Sequence, residues 1–193
     1  MKLLTPIVML ILAFAQWTYA ESATPATAGV SFEVGFSPGG SSLTVVEKAI
    51  DAAKSEILMA CYEFTSLDIA QSLENAAHRG VKVKIVADWK AAQQQYSQTT
   101  VLENAGIPVR LDRHYAIHHH KFMVIDGVNL ETGSFNYTTG AIKHNAENAL
   151  VLWNVPQIAA VYAREWERLW EESQKLTVLA TRRPRGGHKP SKP

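Results

Sequence analysis

A single cysteine, Cys61, in a chain of 193 residues rules out any intrachain disulfide, and with it the small secreted domains that depend on cystine frameworks. The fold must rest on its apolar core, and Cys61, inside the apolar stretch 57–62, reads as a buried small hydrophobe and not as a nucleophile. Eight prolines and eleven glycines are too few for a fibrous or wholly disordered chain. The sequence has no internal repeat, no long linker within 30–176, and no amphipathic membrane-binding helix after its first twenty residues. A metal-ligand set is missing too. His118 and His120 fall on one face of an extended segment and His119 on the other, and no second group of ligands has a suitable spacing. Neither a metal nor another cofactor is expected.

The first twenty residues differ in kind from the rest. Lys2 supplies a positive start, 3–15 is apolar apart from Thr5 and Pro6, and Thr18 and Ala20 put small residues where a signal peptidase reads. This predicts cleavage after Ala20 and export to the periplasm or outside the cell, followed by a flexible spacer at 21–29. Without Lys2, 18 basic residues balance 18 acidic ones. That zero conceals a tail, 181–193, with Arg182, Arg183, Arg185, Lys189 and Lys192 and no acid, so 21–180 carries a formal charge of −5. A Pro/Gly-rich basic tail (177–193) is expected to be disordered; it either attracts polyanions or serves as a solubilising end.

Between these ends, 47% hydrophobic content and a length typical of one domain, roughly 100 to 200 residues, predict a single domain over 30–176. Residues 30–36 alternate apolar and polar, as a strand does. A helix is expected from Ser41, read as its N-cap, then a strand over 57–64. A second helix opens with a Thr65–Asp68 capping pattern and stops at Gly80. The strand 81–87, a short helix over 97–105 closed by Gly106, and the strand 107–111 follow. Further on come a strand at 147–153 and a last helix capped by Asn154, whose aromatic stripe (Trp166 and Trp170) reads as core or subunit interface. Strands alternating with helices predict an α/β fold: a mixed, mostly parallel central sheet flanked by helices on both faces.

The stretch 117–136 holds more phosphate-chemistry groups than any other: His119, Lys121, Asp126, Gly133, Ser134 and Asn136. Residues 122–125 are apolar throughout, and Asp126-Gly127 is a hairpin turn. A two-residue turn sets Lys121 opposite Thr132 and His119 opposite Ser134, whereas a four-residue turn sets them opposite Ser134 and Asn136. Either way imidazole, ammonium, hydroxyl and amide meet at the open end of one hairpin. Asp126 lies seven strand residues from His119, on the order of 20 Å, which assigns it to turn formation or ion pairing.

The pattern His119-x-Lys121, Asp126, Gly133-Ser134-x-Asn136 resembles the HKD signature of the phospholipase D superfamily, and 31–172 as a whole is similar to its small bacterial endonuclease branch, the Nuc type. The resemblance implies a metal-independent phosphodiesterase acting on nucleic acid. His119 would attack phosphorus to form a phosphohistidine, Lys121, Ser134 and Asn136 would bind the phosphoryl oxygens, and Glu147 would orient the nucleophile's ring. Asp126 and Gly133 would be structural members of the motif. A second imidazole is needed as acid and base, and with one HxK per chain the resemblance implies a homodimer with one shared active site. The rivals are a phospholipid hydrolase on the same scaffold and a non-catalytic nucleic-acid-binding protein.

Overall fold

The computed structural model describes residues 29–176; the leader, the spacer apart from Gly29, and the basic tail lie outside the described residues. The order is β1 (Ser31–Ser37), α1 (Ser41–Ala52), β2 (Glu56–Cys61), α2 (Leu67–His78), β3 (Lys82–Asp88), a 3-10 turn (Ala91–Gln93), α3 (Thr99–Asn104), β4 (Val109–Asp112), β5 (Lys121–Ile125), β6 (Asn129–Gly133), α4 (Thr139–Lys143), β7 (Glu147–Trp153), α5 (Pro156–Glu172) and β8 (Gln174–Lys175). They form one eight-stranded sheet ordered β1-β7-β6-β5-β2-β3-β4-β8.

The sheet is mixed and flanked by helices on both faces, as expected. Its parallel pairs are confined to β2–β3 and β3–β4, while every other pairing is antiparallel. The expected parallel run breaks at both ends for a physical reason. The chain after α1 enters the middle of the sheet, leaving β1 to pair with β7 at the edge, and the β5–β6 hairpin can only run antiparallel.

β2 and β5 are the central strands, buried along almost their whole length, which explains their unbroken apolar sequences. On one face α1 and α2 bury Val46, Ala49, Ile50, Ile69, Leu73 and Ala76 against Met59, Ile85 and Met123. On the other, α5 buries Trp166 and Leu169 against Leu58, Val86, Phe122 and Val124. Trp166 settles its polar end by donating its indole N–H to Met59 O at 2.8 Å. The aromatic stripe is thus core, while Ile158 and Val161 on the same helix remain exposed.

Three helix starts differ from expectation. Gly40, at φ 87°, precedes α1, and Ser41 instead ties the helix back to β1: its Oγ accepts from Phe36 N and donates to Phe36 O, both at 2.8 Å. A Cβ on Gly35 would overlap Ser41 O, so this close approach requires glycine. In α2 the cap is Ser66 and not Thr65, its Oγ accepting from Ile69 N at 3.3 Å. Val155 precedes α5, with Pro156 in its first turn; Asn154 has a φ of 56° and its N–H is taken by Asn129 Oδ1 at 2.9 Å. In α1 and α5 a contact to a strand takes the place of the expected cap, whereas in α2 the cap remains local and moves by one residue.

Candidate active site

His119 lies in an irregular segment, residues 113–120, and β5 begins only at Lys121. What holds that segment in place is a buried polar cluster at the ends of β3 and β4. Asp88 Oδ2 accepts the backbone N–H of His118 at 2.9 Å, and Asp112 Oδ2 lies 3.0 Å from His118 Nδ1. The ring of His118 is 2% exposed; burial lowers its pKa against the opposing pull of Asp112, so it is neutral and donates from Nδ1. Three side chains that took no part in the HKD pattern therefore position the next residue, His119. Two acids ending adjacent parallel strands were the signal available in the sequence.

The exposed His119 ring lies against Tyr62, just past β2, with centroids 4.8 Å apart. Lys121 is 8% exposed, its Nζ donating to His119 O at 2.9 Å and lying 5.4 Å from the Tyr62 ring centre. Burial lowers the Lys121 pKa, and the carboxylates of Glu147 and Glu63 oppose that shift. His120 turns away, its Nε2 3.6 Å from Glu165 Oε1 on α5. Among the described residues no three His, Cys, Asp or Glu side chains are grouped as metal ligands.

The hairpin register is neither of the two expected. Phe122 pairs with Thr132 and Ile125 with Asn129, so three residues turn the chain. Asp126 and Gly127 have φ values of 54° and 68°, and Val128 N donates to Ile125 O at 3.2 Å; Val128 is the added residue that shifts the ladder by one. Gly133 consequently takes the position facing Lys121. A Cβ there would overlap Asn148 O, so glycine lets β6 approach β7 and delivers Ser134 to its partners.

Ser134 Oγ donates to Glu147 Oε2 at 2.6 Å and accepts from Asn148 N at 3.1 Å. Glu147 Oε1 accepts from Asn145 at 3.1 Å. A hydroxyl has one proton to give, and here it goes to Glu147. Ser134 and Glu147 thus form a positioned pair within the chain, and the hydrogen bonds of Glu147 run to Ser134 and Asn145, not to His119. Asn136 Oδ1 is buried without a hydrogen-bond partner, leaving this amide uncommitted to the fold.

Asp126 sits at the far end of β5, beside the start of β2. Its carboxylate accepts from the backbone N–H groups of Lys54, Ser55 and Glu56 at 2.7–3.2 Å and from Ser55 Oγ at 2.7 Å. It joins the hairpin turn to the α1–β2 loop through amides and a hydroxyl, where an ion pair was one expectation. These bonds lower its pKa, although burial alone would raise it. Asp126→Ala should cost about 3 kcal/mol in urea unfolding, from the lost charge-assisted bonds and from placing alanine at a positive φ that aspartate tolerates better. Turnover by the folded variant should stay near wild type; a stable but inactive variant would return Asp126 to the chemistry.

Against this geometry, residues 46–170 match the family described as "Cardiolipin synthase, PLD-like domain". The crystal structure of a phospholipase D family member, Nuc from Salmonella typhimurium, superposes with a TM-score of 0.76 at 41% identity, covering 77% of this chain and 99% of that one. This chain belongs to the phospholipase D superfamily and resembles its Nuc-type branch. Mouse mitochondrial cardiolipin hydrolase is 36% identical over 132 residues, which span 68% of this chain and 59% of the mouse protein. A protein named phospholipase D from Rickettsia conorii is 35% identical over 131 residues, 68% of this chain and 65% of its own length. The chain therefore spans less than two thirds of the length of these curated relatives. His119, Lys121 and Asn136 lie together at the end of the sheet where β5 begins and β6 ends.

Proposed function

We propose that this chain is an exported, metal-independent phosphodiesterase that hydrolyses nucleic acid as an endonuclease, at a site built by two copies. The observation that carries this reading is the single His119–Lys121 unit, held at the open end of the sheet. Its ammonium is anchored on the histidine's own carbonyl and its imidazole is left accessible beside Tyr62. An imidazole titrates near neutrality, so one ring can attack while another, protonated, serves as acid.

In the proposed cycle a nitrogen of His119 forms a bond to phosphorus as the ester P–O bond breaks, and the leaving oxygen takes a proton from His119 of the second copy. That second imidazole then removes a proton from water, whose oxygen displaces the phosphohistidine nitrogen and restores both rings. Lys121 and Asn136 stabilise the charge on the phosphoryl oxygens. Ser134 holds Glu147 close enough to bias the electrostatics of Lys121, and Glu147 is free to meet an imidazole once two chains assemble.

An apolar face left uncovered among the described residues supports the dimer. Glu33 on β1 pairs with Lys48 of α1 at 2.8 Å, so Phe32, Val34 and Phe36 face the opposite side, which α5 leaves open; the two phenylalanines are 69% and 63% exposed. Phe36 pairs with Asn148, next to Glu147, so a partner seated there would adjoin the site. Phe36→Asp should yield a monomer by sedimentation and lose nearly all turnover; a fully active monomer would sink the shared site.

The names of the mouse and rickettsial relatives favour one second reading, a phospholipid hydrolase. Purified protein should nick plasmid in EDTA and leave cardiolipin and phosphatidylcholine vesicles intact. The reverse result, or activity lost in EDTA and restored by zinc, would replace the proposal.

A further inference from the structure

Across the ends of β3 and β4, three hollows adjoin. One of about 300 Å³ is lined by His119 and Tyr115; a second of about 240 Å³ shares Tyr115 and reaches Trp89; a third of about 730 Å³ shares Trp89 and reaches Tyr96. Along them lie aromatic rings and cations in alternation. Arg113 stacks on Trp89, its guanidinium carbon 4.1 Å from the ring centre, and Lys90 borders the second hollow and Lys175 the third. The acids beneath, Asp88 and Asp112, are buried at 3% and 1% exposure, and both are engaged by backbone N–H groups and His118.

Tyr96 is the least expected residue here. It is 74% exposed and has a φ of 72°, a conformation rare for a bulky side chain. The strain is held by the buried Gln98, whose amide donates to Tyr96 O at 2.9 Å and whose backbone N–H donates to Phe64 O at 2.9 Å. The same loop is tied to the nucleophile's segment by Lys90 Nζ, which donates to Ala116 O at 3.4 Å. The Tyr96 loop is thus braced on one side against the segment following Tyr62, the neighbour of His119, and on the other against the segment leading to His119. Among the described residues, no packing contact explains an outward phenol ring at this position.

We infer that Trp89, Tyr96 and Arg113 form a subsite for unpaired bases of a single-stranded nucleic acid whose phosphate lies at His119. This rests on the nuclease reading and narrows its substrate. An exposed Tyr96 ring beside the half-buried Trp89, capped by the Arg113 guanidinium, suits a strand whose bases are free to stack and whose phosphates need neutralising; paired bases hide those faces. In the third hollow Gln93, Gln94, Ser97, Thr100 and Lys175 offer hydrogen bonds to bases and backbone beside the apolar Ala92, Leu111 and Leu176.

The test uses the full chain with Tyr96→Ala and Tyr96→Phe, assayed on a short single-stranded oligonucleotide, its duplex, and bis(4-nitrophenyl) phosphate, which carries no flanking nucleotides. Tyr96→Ala should raise KM for the single strand about tenfold, the loss typical of one stacked base, with kcat unchanged. Tyr96→Phe should match wild type, and the small ester should be hydrolysed equally by all three proteins. An unchanged KM in Tyr96→Ala, or an equal loss on the small ester, overturns the subsite. If wild type cuts duplex as readily as single strand and Tyr96→Ala alters neither, the subsite fails while the nuclease reading stands. If wild type turns over the small ester but no nucleic acid, both fail.

Discussion

His119→Ala should abolish phosphodiester hydrolysis, lowering kcat by a factor on the order of 10⁴ or more, because it removes the atom that would bond to phosphorus and, in the dimer, the acid as well. The fold should survive. His119 is exposed and precedes β5, and its contact with Tyr62 is not part of either core cluster. Thermal unfolding unchanged within a few degrees, with nucleic-acid binding retained by gel shift, would assign the loss to chemistry. Retained hydrolysis by the alanine variant would refute the mechanism and leave a binding protein as the better account.

Glu131→Gln should abolish most of the loss of stability that the wild type shows as pH rises from about 5 to about 8. Glu131 is 1% exposed within the sheet, and Tyr137 donates its hydroxyl to Glu131 Oε2 at 2.6 Å. Burial raises the Glu131 pKa to about 8, only partly offset by that bond, so at neutral pH the native protein holds a proton that the unfolded chain has released. Between the ordinary carboxylate value and pH 8 the unfolded state therefore binds fewer protons, and stability falls as pH rises. At about 1.4 kcal/mol per pH unit, the loss across that window is on the order of 4 kcal/mol. The glutamine variant keeps an acceptor for Tyr137 and has no proton to lose. Its unfolding free energy should match wild type near pH 5 and exceed it by several kcal/mol at pH 9. Equal pH profiles would mean that Glu131 is ionised in the native state.

The consequence reaches the site. Glu131 and Tyr137 bracket Gly133, Ser134 and Asn136, and Tyr137 O accepts from Thr65 N and Ser66 N, both at 3.0 Å. One buried acid–phenol bond closes the loop that carries half of the HKD pattern and fastens it to the β2–α2 connection.

How much of this was legible in the sequence depended on the range of the interaction. Apolar runs located β2, β5 and β7, and glycines ended α2 and α3, because such signals act over a few residues of chain. The HKD spacing, carried on one hairpin, disclosed the superfamily. Neighbours in space but not in chain stayed hidden: the Asp88–His118–Asp112 cluster, the Ser134–Glu147 bond and the Glu131–Tyr137 bond each join residues whose meeting depends on strand order and register.

By itself, then, the sequence determined the chemistry available and the hairpin that carries it, since residue type and short-range periodicity are local properties. Only the tertiary structure decided the register of that hairpin. One extra residue at Val128 put Gly133, not Ser134 or Thr132, in line with Lys121, and in a structure of period two a shift of one residue changes which side chains meet.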